Sequence, residues 1–146
     1  LERVPNAKLL IAGPRPVRSV KNLAGKHIMV TGAVVDIREC IGQCEVVVAP
    51  LKTGTGTRNK ILQAWAMGRP VVATPEGVEG LDAQDGVHVL TADTPRVFAE
   101  KIVAVFRDEN LKRSLINSGL RLINEKYDMK KITVDFDRLL PYVVAR

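Results

Sequence analysis

Long apolar runs are missing from this sequence. The longest stretch without Asp, Glu, Lys or Arg is the nine residues His27 to Val35, well short of the roughly 20 that a spanning helix requires, which excludes a transmembrane segment. Aromatic residues are scarce, with three Phe, two Tyr and one Trp. Trp65 and Phe98 fall at core-like positions, so few rings are left on which single-stranded bases could stack, and nucleic acid is set aside as a partner. Cysteine occurs only as Cys40 and Cys44, and His27 and His88 stand apart from them. With no second Cys/His pair at zinc spacing, no metal is expected. The two thiols read as small buried side chains in a reduced compartment, the cytoplasm. An initiator Met and a basic-then-apolar leader are also lacking: the opening Leu1-Glu2-Arg3-Val4-Pro5 reads as the tail of a helix, and the chain is expected to be part of a longer one.

The 146 residues are 46% hydrophobic and 26% charged, the profile of an ordinary globular domain. Basic residues outnumber acidic ones 22 to 16, a net charge of +6, which points to a polyanionic partner such as a phosphorylated metabolite or phospholipid head groups. Five short apolar runs recur: Ala7 to Ala12, His27 to Val30, Glu45 to Ala49, Val71 to Thr74 and Val87 to Thr91. They are β-branched without alternation, as expected of parallel strands buried on both faces. Helix-compatible stretches lie between them, at about Pro16 to Ala24, Asp36 to Gln43 and Thr57 to Met67. The order predicts an α/β fold, a Rossmann-like doubly wound parallel sheet of about five strands. Beyond Thr91, Pro95 to Arg107 and Asn110 to Lys126 carry apolar residues at helical spacing, including Phe106, with Asp93 or Thr94 and then Pro95 as a start signal. Met129 to Tyr142 places Ile132, Phe136, Leu139 and Leu140 on one further helical face. The C-terminal third is therefore expected to be all helical. No repeat, low-complexity run or linker divides the chain.

The segment from Pro50 to Pro70 carries the chemistry. It leaves a strand, crosses Gly54-Thr55-Gly56-Thr57 and enters a helix expected to bury Ile61, Leu62, Trp65 and Ala66. Ligands of open α/β sheets bind at that carboxyl edge. Gly54 and Gly56 permit close backbone approach, and the unpaired N–H groups of a helix start favour an anion. Arg58 and Lys60 lie against the helix dipole, each at a cost of roughly 0.3–1 kcal/mol, which a bound anion would offset. The other reading is an ordinary turn with Thr57 as helix cap and a solvated basic face. A Walker loop fails, because Asn59 rather than Gly precedes Lys60 and Ile61 follows it; Gly13-Pro14-Arg15-Pro16 makes no dinucleotide fingerprint either. Gly68 is placed for a left-handed helix cap. In the turn-rich loop Thr74 to Leu81, Glu76 and Glu79 are either acceptors for sugar or ribose hydroxyls or a solvated acidic loop with Asp82 and Asp85.

Taken together, Val4 to Gly13, Pro50-Leu51, Gly54-Thr55-Gly56-Thr57-Arg58-Asn59-Lys60-Ile61-Leu62, Ala66 to Pro75 and Gly77-Val78-Glu79-Gly80-Leu81 resemble the C-terminal, donor-binding domain of the group 1 glycosyltransferases. The resemblance covers about residues 4 to 128 and is most specific between Pro50 and Leu81. It implies one half of a GT-B architecture: two Rossmann-like domains facing a cleft, the C-terminal one holding a nucleotide-diphosphate sugar. It also implies retaining transfer without a bound metal or other cofactor, in polysaccharide or glycoconjugate biosynthesis. By the same resemblance Gly13 and Pro14 border the cleft, and Thr31, Gly32 and Val34 line the base pocket. Gly54, Thr55, Gly56, Thr57, Arg58, Asn59 and Lys60 lie against diphosphate and sugar, and Glu79 joins the donor contacts. Gln63 stands where many relatives have a ribose-binding glutamate, and Thr55 where they have another that often contacts the sugar.

The family's domain opens with a strand and helix that supply Arg and Lys to the donor phosphates, and nothing before Leu1 provides them. The first domain is therefore expected to span 1–128 without its first strand and most of its first helix. Residues 129–146 are expected to form the helix that crosses back to the N-terminal domain of the same parent. The missing N-terminal domain is expected to bring the acceptor and the main catalytic groups, so this polypeptide alone is expected to be inactive. The apolar face of the last helix favours self-association. A membrane surface is a further candidate partner, at the inner face of the membrane. Two other functions fit the same residues: a nucleotide-binding module without catalysis, and half of a GT-B sugar-nucleotide epimerase.

Overall fold

The computed structural model describes residues 4–53 and 58–128, together with Thr133. The chain divides into two compact units, Leu1–Cys44 and Glu45–Arg146. The expected helix Met129 to Tyr142 and the loop Gly54 to Thr57 lie outside the described residues.

The first unit holds β1 (Leu9–Ala12), α1 (Arg18–Lys21), β2 (Ile28–Gly32) and α2 (Ile37–Gly42). β1 and β2 pair in parallel, Leu9 opposite Ile28 and Ile11 opposite Val30, with a shift of register before Ala12. α1 is much shorter than the stretch Pro16 to Ala24, and its first turn has no side-chain cap. Asp36 caps α2 by accepting from the Arg38 N–H at 2.8 Å, and α2 packs on β1 through buried Ile41. Cys40 and Cys44 are free thiols, half-buried rather than buried, and the Cys44 thiol donates to the Cys40 carbonyl at 3.1 Å.

The two strands of this unit depart from the expected burial on both faces. Ile28, Val30 and Gly32 are half-buried while Met29 and Thr31 between them are exposed, with Met29 at 62%. That alternation is the mark of a strand covered on one face.

The second unit holds β3 (Val47–Ala49), α3 (Asn59–Ala66), β4 (Val71–Ala73), α4 (Pro75–Val78), β5 (Leu90–Thr91), α5 (Pro95–Arg107) and α6 (Glu109–Leu122), which ends in a π-helical turn, Ile123–Tyr127. Its parallel sheet has the order β3-β4-β5. All five expected strands are present, divided between two parallel ladders. β4 is buried along its whole length. Val71 and Ala73 join a cluster with Ile61, Ala64 and Trp65 of α3, while Val72 joins Leu90, Val105 and Leu115, with Phe98, Ile102 and Leu111 packed against them.

The buried stripe of α3 is Ile61, Ala64 and Trp65; Leu62 is half-buried and Ala66 is exposed. Spacing of three and four residues puts Ala64, not Ala66, over the sheet. Phe106 is likewise exposed, at 36%, one residue beyond buried Val105. Gly68 adopts φ +63° and ends α3 as a left-handed residue. At α5 the start signal resolves to Thr94, whose hydroxyl accepts from the Val97 N–H at 3.4 Å, and Asp108 caps α6 by accepting from the Asn110 and Leu111 N–H groups.

Trp65 is 1% exposed, and its indole N–H donates to the His88 carbonyl at 3.0 Å. A Cβ on Gly119 would stand 2.6 Å from Cδ1 of that ring, so α6 reaches α3 only because this residue has no side chain. The ring is enclosed and cannot yield. Gly119→Ala is expected to lower stability by about 1–3 kcal/mol, the range for overpacking a filled core, measured as a lower midpoint of urea unfolding with an unchanged slope.

The His88 ring accepts at Nδ1 from the Gln84 N–H at 3.0 Å, which requires neutral imidazole at that atom. Burial first, and then the charge of Arg121, push its pKa below the ordinary value of 6.5. The unfolded chain therefore binds this proton more readily than the folded one. The contribution of His88 is present above about pH 6.5 and is lost as the pH falls through and below that value. Tm is expected to drop between pH 7.5 and pH 5.5, and His88→Asn, which keeps an acceptor and cannot titrate, should flatten that drop.

Candidate functional site

The carboxyl ends of β3 and β4 lie side by side, with Ala49 opposite Ala73. Beyond them the chain is held by local chemistry. The Ala49 carbonyl accepts from Leu51 N–H at 2.9 Å and from Thr74 N–H at 3.2 Å. Thr74 is the cap of α4, accepting from Gly77 N–H at 3.2 Å, while its own hydroxyl donates to the Leu51 carbonyl. One side chain thus ties the loop after β4 to the loop after β3. A Cβ on Gly77 would meet the Ala49 carbonyl oxygen at 2.9 Å, so the two loops close to backbone distance only with glycine there. Thr74-Pro75 repeats the cap-then-proline pattern of Thr94-Pro95, a signal for the cap of α4 but not for the tie to Leu51.

Arg58 stands at the cap position of α3. Its side chain is only 8% exposed, and its guanidinium lies 3.6 Å from the carboxylate of Glu79, which is itself 76% exposed. The two residues that the sequence offered separately, one as an anion contact and one as a hydroxyl acceptor, are partners. The charge that Arg58 sets against the helix dipole is offset within the chain by Glu79, so it does not by itself call for a bound anion. Lys60 has no such partner among the described residues and is exposed on the first turn. Asn59 and Gln63 are also exposed, one turn apart on the face of α3 opposite Ile61 and Trp65. Gly54, Thr55, Gly56 and Thr57 fall outside the described residues. Glu76 is exposed in the first turn of α4, a favourable end of the helix for an acid.

The remaining candidates belong to the first unit. Gly13 N–H donates to the Gly32 carbonyl at 2.9 Å, which joins the carboxyl ends of β1 and β2. Gly32 takes φ +72°, a conformation that favours glycine, and its carbonyl also accepts from the Thr31 hydroxyl at 3.1 Å. Thr31 and Gly32 line an open cavity of 310 Å³ with Ala33, Val30, Ala24, Pro16, Lys21 and Arg15. Pro14 and Val34 flank that loop in sequence but do not line the cavity. Arg15 has φ +50°, a left-handed conformation that is costly for a non-glycine residue. Arg15 and Lys21 belong to no motif legible in the sequence, where the acid-free composition around them was the available signal.

Among the described residues no group of three or more His, Cys, Asp and Glu is placed to hold a metal ion, and no helix is long and apolar enough to cross a membrane. Thr74→Val removes both the cap acceptor and the donor to Leu51 while keeping the shape of the side chain. It is expected to cost about 1–2 kcal/mol of stability, checked by thermal unfolding.

The family described as glycosyl transferases group 1 matches residues 1–108. No curated protein matches the chain by sequence. Solved structures do match in fold. HepE of Anabaena, in complex with UDP and glucose, superposes with a TM-score of 0.81 at 16% identity, covering 94% of this chain and 41% of its own. The C-terminal domain of LpcC, a glycosyl transferase group 1 family protein of Francisella tularensis, gives 0.65 at 22% identity, covering 77% of this chain and 60% of its own. The pneumococcal O-GlcNAc transferase GtfA, in complex with UDP and GlcNAc, gives 0.75 at 17% identity, with 99% of this chain and 31% of its own covered. The chain thus spans about two fifths to three fifths of the length of the first two of these structures.

Proposed function

The chain belongs to the group 1 glycosyl transferases, and from that premise we propose that it binds the nucleotide-diphosphate sugar donor of a GT-B enzyme. The transfer is retaining, and the acceptor and main catalytic groups come from an N-terminal domain of the same parent. The observation that carries this reading is the carboxyl edge of β3 and β4, where Thr74 ties the two loops and α3 opens with Arg58 held by Glu79 at 3.6 Å. The UDP complexes of HepE and GtfA support the class of donor; the nucleotide of this chain is a matter for titration.

The residues divide the work as follows. Thr31 and Gly32, which line the cavity of the first unit, take the base, and Gly13, Pro14 and Val34 are assigned beside it, after the same strand ends. Gly54, Thr55, Gly56 and Thr57 are assigned to the diphosphate and sugar, with Asn59 and exposed Lys60 at the helix start. As the leaving diphosphate gains charge, Lys60 stabilises it, since fixed donors aimed at developing charge act without reorganisation. Arg58 contributes through its pair with Glu79, and a donor hydroxyl or phosphate reaching that pair competes for one of its members. Gln63 accepts one ribose hydroxyl through its amide oxygen and can donate to another, an uncharged contact in place of a carboxylate. Site and compartment go together: the enzyme works in the cytoplasm or at the inner face of the membrane, in keeping with the free thiols Cys40 and Cys44.

A binding module without chemistry is the second reading, and Gln63 and Thr55 at the two family glutamate positions are what favour it. Titration of the isotope-labelled chain with UDP, GDP, ADP and dTDP tests the donor reading. Amide shifts confined to 31–34 and 54–63 with one nucleotide are expected, and Gln63→Ala should weaken that binding about 3- to 10-fold, the worth of one hydrogen bond. No shift with any nucleotide overturns it. Transfer by the protein joined to its acceptor domain, undiminished by Gln63→Ala, would assign the ribose contact elsewhere. A parent that turns over without any acceptor would be an epimerase.

A further inference from the structure

From Val4 to Val35 the chain contains no Asp, no Glu and no aromatic residue, yet it carries Lys8, Arg15, Arg18, Lys21 and Lys26. None of these five cations enters an ion pair among the described residues. The other acids of the first unit's described residues are Asp36 and Glu39, and Asp36 is taken by Arg38 at 2.7 Å. Most large apolar side chains that reach solvent lie in the same segment: Val17 is 63% exposed, Leu23 51% and Met29 62%. Val17 is the cap residue of α1 and Leu23 follows its end by two residues, so both bracket Arg18 and Lys21. Those two cations are three apart, on neighbouring positions of one helical face.

We propose that this α1 face docks on a bilayer surface bearing anionic phospholipid, with headgroup phosphates against Arg18 and Lys21 and with Val17 and Leu23 reaching the acyl boundary. Charge complementarity selects that occupant. A second copy of this chain would bring the same cations against one another. A single-stranded nucleic acid would meet no ring on which to stack a base. A negative leaflet attracts each Lys or Arg near the surface, and aliphatic groups interleaved with cations add burial that an isolated phosphate cannot provide. Two aliphatic side chains alone are too little to hold a neutral bilayer, so binding depends on both parts.

Sedimentation of the 146-residue chain with phosphatidylcholine vesicles, with and without phosphatidylglycerol, tests this. Binding is expected only to the anionic vesicles, and it should weaken with salt. Arg18→Gln with Lys21→Gln should lower the partition coefficient about 30-fold. Val17→Ser with Leu23→Ser should lower it as well while leaving the salt dependence in place. These positions are exposed, and an unchanged circular dichroism spectrum and Tm of each variant will show that folding is intact. Absence of binding, equal binding to neutral vesicles, or indifference to the Val17 and Leu23 substitutions overturns the proposal. Tighter binding to single-stranded RNA than to the anionic vesicles, also indifferent to those substitutions, overturns it in favour of nucleic acid.

Discussion

The indole of Trp65 is the piece on which the second unit depends. It fills the space between α3, α6 and the strand end at His88, donating its N–H to the His88 carbonyl and meeting the bare backbone of Gly119. A buried Trp removes about 150–250 Å² from water and needs a partner for its one polar atom; both conditions are met. The packing fixes the rotation of α3 about its own axis, because Ile61, Ala64 and Trp65 must share the inward face. Once that face is set, Asn59 and Gln63 have to face out.

That rotation decides which residues the start of α3 presents to solvent. The loops after β3 and β4 are drawn together by the Thr74 hydroxyl and by the missing side chain of Gly77, and Arg58 crosses to Glu79. A guanidinium as enclosed as that of Arg58 would be expensive without a carboxylate beside it. The partner is itself mostly in water, so the pair orients a charge more than it stabilises the fold. Lys60, without an acidic partner in the described ion pairs, is left exposed on the first turn of α3.

The two units differ in how they use water. In the second, β4 is sealed between α3 on one face and α5 with α6 on the other, the arrangement that continuous apolar strands require. In the first, β2 alternates and aliphatic groups reach solvent beside cations that enter no ion pair among the described residues.

Local signals determined a great deal here. Apolar runs located all five strands, and Thr94-Pro95 and Gly68 marked helix boundaries. Those features depend on propensity, caps and backbone conformation, which a few neighbouring residues decide. The sequence could not tell that Ala64 rather than Ala66 is buried, that β2 is covered on one face, or that Phe106 reaches solvent, because burial depends on what the rest of the chain lays over a residue. Nor could it join Arg58 to Glu79, since an ion pair across 21 positions exists only after Trp65 has oriented α3 and Thr74 has closed the loops; pairing between distant residues is settled by packing, which short-range pattern does not encode.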